Sequence, residues 1–183
     1  MRVIAGTARS LPLKTPKSDA TRPTTDRIKE TLFNMLQPYI PGAIFIDCFS
    51  GSGGIGIEAL SRGARHAYFI EKEKEPLSCI RDNLAFTHLA DRATVLARDV
   101  SVSLYEISEK TADVIFMDPP YDEHLEEQVL KKLSEMHYVD EETLIVVEAS
   151  LHTDFEYLDA LGFGIMKEKR YKTNKHVFIR KRG

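Results

Sequence analysis

From residue 44 onward the chain alternates short apolar runs with amphipathic stretches, the rhythm of parallel strands joined by crossover helices. The runs 44–48, 66–70, 93–96, 113–117 and 143–147 have strand length. Between them, 54–61, 73–86 and 124–137 carry apolar residues at helical spacing, as Leu125, Val129, Leu130 and Leu133 do in the last. The rhythm changes after Val147. Residues 154–161 read as a final short helix stopped by Gly162, and 165–171 with 176–181 as two strands around a turn at 172–175. The pattern predicts an α/β fold: a doubly wound sheet, mostly parallel, that closes in a C-terminal antiparallel hairpin.

Ahead of residue 41 the signal is weaker. Segments 2–4 and 11–14 predict a small hairpin, and a polar stretch through Pro16, Ser18 and Asp19 leads to Arg22-Pro-Thr-Thr-Asp-Arg27. Thr24 or Thr25 is placed to cap a helix with Ile28, Leu32, Met35 and Leu36 on one face, closed by Pro38 and Pro41. The 183 residues fit one domain, with a core over 41–183 and a small N-terminal extension of hairpin and helix over 1–40.

Composition alters this picture little, and charge alters it more. No apolar run approaches the ~18 residues of a membrane span, and residues 1–14 are too polar for a secretion signal, so a cytoplasmic protein is expected. Cys48 and Cys79 lack metal-ligand spacing and read as reduced packing residues, the six histidines read as surface or packing residues, and no metal site is expected. A net charge of −3 argues against a polyanionic partner only as an average. Residues 1–30 hold seven Lys/Arg against three acids, and residues 167–183 hold eight against one, which leaves the body between them at −14. Two basic ends on an acidic body fit either a localised nucleic-acid footprint or ends that are merely solvated.

Candidate chemistry begins where the first strand ends. Asp47-Cys-Phe-Ser-Gly-Ser-Gly-Gly-Ile-Gly56 turns from strand to helix, and its glycines let backbone approach a ligand. The embedded Gly51-x-Gly53-x-x-Gly56 suits a nicotinamide dinucleotide as well as S-adenosyl-L-methionine. Asp47 tilts the choice, because its carboxylate would repel a pyrophosphate and attract an ammonium or sulfonium. Ser50, Gly51, Ser52 and Gly53 then form the cradle. Glu71, at the end of the second strand, is placed for ribose hydroxyls, and Asp99, with Val100 just past the third, for an adenine amine. Each acid alone can equally be a helix cap or a solvated residue.

Asp118-Pro-Pro-Tyr121 follows the fourth strand. Pro119 and Pro120 fix two backbone angles and remove two N–H donors, which makes a stiff turn that accepts hydrogen bonds. An exocyclic base amine is a poor nucleophile, because its lone pair is delocalised into the ring. Asp118 and the carbonyl of Pro119 can draw on its hydrogens and pyramidalise the nitrogen, while Tyr121 offers a face on which an extruded base stacks. Methyl transfer by in-line displacement then needs alignment more than covalent catalysis. A plain Asp-Pro-Pro loop start is the structural alternative.

With Asp47-x-Phe-x-Gly-Ser-Gly, Asp118-Pro-Pro-Tyr121, the opening Arg2-Val-Ile-Ala-Gly6 and Arg22-Pro-Thr-Thr-Asp-Arg27 in that order, the chain resembles the RsmD-type ribosomal RNA methyltransferases nearly end to end. The resemblance implies the class I methyltransferase fold, S-adenosyl-L-methionine as cofactor, and the N2 amine of a guanine in 16S rRNA as target, within an assembled or partly assembled small ribosomal subunit. It implies cofactor roles for Asp47, Gly51, Gly53, Glu71 and Asp99, catalysis by Asp118 to Tyr121, and an RNA-binding arm of Arg22, Thr24 and Arg27. A monomer is expected, for want of a heptad or a long apolar edge. Methylation of adenine N6 in nucleic acid or of a glutamine side chain is the alternative within the enzyme class, and a nucleotide-binding module without catalysis is the alternative outside it.

Overall fold

The computed structural model describes residues 1–17, 25–121 and 123–183. After helix α1 (Asp26–Leu36) the chain runs β1 (Ile44–Asp47), α2 (Gly54–Ser61), β2 (His66–Ile70), α3 (Lys74–Phe86), β3 (Ala93–Leu96), α4 (Val100–Ser103), β4 (Val114–Met117), α5 (Leu125–Glu135), β5 (Leu144–Ser150), β6 (Phe163–Arg170) and β7 (Asn174–Lys181). The sheet order is β3-β2-β1-β4-β5-β7-β6, parallel from β3 through β5 and antiparallel where β7 meets β5 and β6. The predicted doubly wound sheet with its terminal hairpin is therefore the observed one. Strand order reverses between β1 and β4, which opens a crevice at the strands' carboxyl ends.

Both faces of the sheet are covered, which explains why its central strands are apolar throughout. Ile44 and Ile46 of β1 pack with α4 and α5 in one cluster, whereas Phe45, between them, packs with α1, α2 and α3 in the other. Gly56 lets α2 lie close on β2, because an added Cβ would sit 2.4 Å from the ring of the fully buried Phe69. Gly56→Ala is expected to cost about 1–3 kcal/mol and to lower the melting temperature by several degrees. An unchanged melting curve would show that the ring has room to shift.

Three local expectations need correction. The N-terminal hairpin shrinks to one bridge, Arg2 with Pro12. The Val3 amide donates to the Leu11 carbonyl and the Leu13 amide to the Met1 carbonyl, both at 3.0 Å, while the Ile4 amide leaves the ladder and donates to both oxygens of the fully buried Glu58 at 3.0 Å. Residues 156–161 form a 3-10 helix, rather than an α-helix, before Gly162 at φ +78°. The final turn lies at 171–173 rather than 172–175, since Asn174 and Lys175 already belong to β7 and are buried. For α1, Thr25 is the cap, its hydroxyl accepting from the Ile28 amide at 3.3 Å; Thr24 and Arg22 lie outside the described residues.

The basic ends also change meaning. Lys29 is fully buried under the N-terminal segment and donates to the Arg2 carbonyl, with burial lowering its pKa and the Glu58 charge opposing that. Lys175 is buried against Glu168, while Arg2, Lys14 and Arg182 pair with Asp26, Asp82 and Asp159. Much of the positive charge counted in the sequence thus anchors the chain to itself. No helix among the described residues is long and apolar enough to cross a membrane.

Candidate active site

A cleft of about 1140 Å³ opens where the strand order reverses. It exceeds the ~300–1,000 Å³ of single-ligand pockets, so two ligands can meet in it. Its wall brings together Asp47, Ser50, Gly51, Ser52, Glu71, Asp99 and Val100 with the whole turn Asp118, Pro119, Pro120 and Tyr121. Gly53 is absent from that wall. Its φ of +86° turns the chain into α2, and an added Cβ would meet Ile80, Phe69 and Ile57 of the core. Arg27 is exposed off the cleft and makes no ion pair with a described residue, although Thr25 and Ile28 of the same helix line the opening.

Asp47 is the most informative side chain. It is buried at the end of β1, and neither carboxylate oxygen completes a hydrogen bond. Burial pushes its pKa up to about 7, with the nearby Glu71 charge adding to that and the amides of Phe49 and Gly56 opposing it from beyond hydrogen-bond geometry. A buried carboxyl with no donor is costly in a native protein. A ligand that brings its own cationic donor would satisfy it, and the ammonium of S-adenosylmethionine fits that requirement where a pyrophosphate does not.

Glu71 acts first on the protein itself. One oxygen accepts from the Gly51 amide at 2.9 Å and the other from the amides of Lys72 at 2.9 Å and Glu73 at 3.0 Å, which pins the glycine loop to the end of β2. About one of its four lone-pair sites is left for a ligand hydroxyl. Asp99 caps α4 through the Ser101 amide at 2.9 Å and lies 3.6 Å from Lys72 Nζ; both hold its carboxyl below the usual range. It is an ionised acceptor on the rim. The capping role that the sequence left open as an alternative is the one observed.

At the turn, burial and the charges of Glu148 and Asp47 raise the Asp118 carboxyl well above its ordinary value. Tyr121 is 49% exposed beside it. Cys48 also borders the cleft, but burial drives its thiol upward, so it keeps its proton and offers no nucleophile.

Sequence reasoning missed Glu148, Asn174 and His176. Glu148 and Asn174 lie on the cleft wall, and His176, fully buried behind them, places Nε2 3.0 Å from Glu148 Oε2. The antiparallel pairing of β7 on β5 sets Glu148 opposite His176. The only available signal was an acid in the last apolar strand. With it, an acid stands in or just beyond each of β1 to β5: Asp47, Glu71, Asp99, Asp118 and Glu148.

Comparison with known proteins gives the family of the chain. Residues 1–180 match the family model described as conserved hypothetical protein 95. A Bacillus subtilis protein named putative rRNA methyltransferase YlbH is 35% identical over 186 residues, covering 100% of both chains. The Escherichia coli K12 protein named ribosomal RNA small subunit methyltransferase D is 36% identical, covering 92% of this chain and 84% of the relative. A solved structure titled putative methyltransferase yhhF, from Escherichia coli, superposes with a TM-score of 0.83 at 31% identity, covering 100% of this chain and 98% of the other. Matched almost end to end by that family model and by methyltransferases of two bacteria, the chain has the class I methyltransferase fold and belongs to the conserved hypothetical protein 95 family of RsmD-type methyltransferases.

Proposed function

We propose that the protein transfers a methyl group from S-adenosylmethionine to the exocyclic N2 amine of a guanine in 16S ribosomal RNA, acting as a monomer in the cytoplasm on an assembled or partly assembled small subunit. The observation that carries this reading is the shared cleft, in which a stiff Asp118-Pro-Pro-Tyr121 turn stands across from a buried carboxylate that needs a cationic partner. The names borne by the relatives point the same way.

When bound, S-adenosylmethionine supplies an electrophilic methyl group on a sulfonium. Asp47 attracts the cationic end, the Ser50 to Gly53 loop holds the backbone open to it, and Glu71 and Asp99 with Val100 take the nucleoside end. Asp118 and the Pro119 carbonyl accept the amine hydrogens and restore nucleophilic character to nitrogen, and Pro120 keeps the turn rigid. Tyr121 stacks on the base, a contact worth ~1–3 kcal/mol in single-strand binding. The five acids at the strand ends favour the cationic ligand and leave the binding of phosphates to basic residues further out.

Mass mapping of small subunits from a strain lacking the enzyme, after incubation with purified protein and labelled S-adenosylmethionine, tests the assignment. Label on N2 of one guanine is the expected result, and label on adenine N6 or on protein would redirect it. Lys169 at the end of β6 and Lys172 in the hairpin turn stand near Thr173, which borders the cleft; both are exposed and neither is ion-paired to a described residue. Replacing both with alanine is expected to lower the salt slope of RNA binding by about 2, one for each phosphate no longer neutralised. An unchanged slope would move the footprint to the other exposed cations, among them Arg9, Lys17 and Arg27, or to Arg22 and Thr24.

A further inference from the structure

Behind the catalytic turn runs a chain of hydrogen bonds to which the proposed function gives no task. The Tyr171 hydroxyl lies 3.2 Å from His176 Nδ1, His176 Nε2 lies 3.0 Å from Glu148 Oε2, and Glu148 Oε1 accepts from Asn174 Nδ2 at 2.9 Å. The Glu148 carboxylate offers only acceptors, so the imidazole nitrogen that faces it carries the hydrogen and Nδ1 accepts from the Tyr171 hydroxyl. This assigns the imidazole hydrogen to Nε2, where it points at Glu148. The ring of Phe116 meets the imidazole edge-on at 6.2 Å and helps to hold it in place.

The chain ends on one carboxylate that is 6% exposed and borders the cleft with Asp118. It has no lysine or arginine partner among the described residues. Each oxygen takes one donor from the protein, which leaves about two of its four lone-pair sites for something in the cleft. A group oriented by three side chains, with unused acceptor capacity beside the reacting amine, has the arrangement of a reader of a hydrogen-bond donor.

The bases differ in what they offer there. Guanine presents N1–H next to its N2 amine on the same edge, so three hydrogens face the protein. Asp118 and the Pro119 carbonyl engage the amine, and the third hydrogen needs its own acceptor. Adenine presents a lone pair at N1, and so does 2-aminopurine, which keeps the N2 amine.

We infer that Glu148 is a specificity-determining residue that accepts the N1–H of the target guanine, aimed by Asn174 and His176, and that it rejects bases with a bare lone pair at N1. The inference rests on the proposed guanine target and names the side chain that enforces it. Asp118, just past β4, feels the charges of both Glu148 and Asp47, and in this reading it is occupied by the amine.

The test uses small subunits reconstituted on 16S RNA that carries either guanine or 2-aminopurine at the methylated position. The wild-type protein is expected to methylate guanine roughly 10- to 100-fold more efficiently, the range for a hydrogen bond to a charged group. Glu148→Gln is expected to bring the two substrates to within a few-fold of each other. A purely structural role would lower both rates together and leave their ratio unchanged, and that outcome overturns the inference. So does a wild-type ratio near one, which needs no variant and therefore no folded mutant. Failure of the wild type to methylate guanine at all would instead overturn the proposed function, and this inference with it.

Discussion

Asp118→Ala is expected to slow methyl transfer by roughly 10²–10³-fold while leaving affinity for S-adenosylmethionine within a few-fold of wild type. The reason is the position of the carboxyl: it belongs to the turn proposed to meet the amine, while the residues proposed to hold the cofactor are the loop and acids that follow β1 to β3. Removal of Asp118 also relieves its repulsion with Glu148 and Asp47, the two charges that raise its pKa. The variant should therefore melt no lower than wild type, which separates lost chemistry from lost folding. Asp118→Asn keeps an acceptor oxygen and should fall between the two. Because the ionised form is the better acceptor and the pKa is raised, the wild-type rate should climb with pH through a range where an ordinary aspartate has already titrated. Single-turnover rates and calorimetry check the whole set. A rate for Asp118→Ala near that of wild type would leave the turn without a chemical role.

Asp47→Asn should separate stability from function in the opposite way. With the folded carboxyl pushed up to about 7 and an unfolded value near 3.8, the native protein holds a proton that the unfolded chain has lost between those limits. Folding takes up that proton, so the stability of the ligand-free protein falls as pH rises from about 4 to 7 and levels off above. The full window corresponds to an upper limit on the order of 4 kcal/mol. Asparagine removes the ionisable group, so the variant should show a flatter pH–stability curve and a melting temperature higher by several degrees at pH 8. Its affinity for S-adenosylmethionine should fall roughly 10- to 100-fold, since a charged hydrogen-bond acceptor is gone. Denaturation curves across pH and calorimetry with the cofactor measure the two effects. Unchanged affinity would show that the unpaired carboxylate serves no cationic ligand.

Two of the residues proposed to bind the cofactor also support the fold, and this shapes how mutations there should be read. Glu71 closes the glycine loop with three backbone amides, and Asp99 caps α4. Changes at either will mix disorder of the loop with weaker ligand binding. Asp47 and Asp118 are cleaner probes, because their carboxylates are burdens to the empty fold rather than supports of it.

By itself the sequence determined the order and kind of the elements, since the burial of a strand between two helical layers is written locally: Ile44, Phe45 and Ile46 had to be apolar whichever face each one met. It also determined that Asp47, Glu71, Asp99 and Asp118 share one edge, because consecutive parallel strands end on the same side of their sheet. What it could not determine was which residues far apart in the chain would meet. Lys29 and Lys175 look like surface charges until Glu58 and Glu168 are brought to them. Asn174 looks like a turn residue until the register of β7 on β5 sets it, with His176, against Glu148. Register between strands of a hairpin and its neighbour is fixed by packing and turn geometry rather than by local pattern, so only the folded chain could place that carboxylate in the cleft with the Asp118 turn.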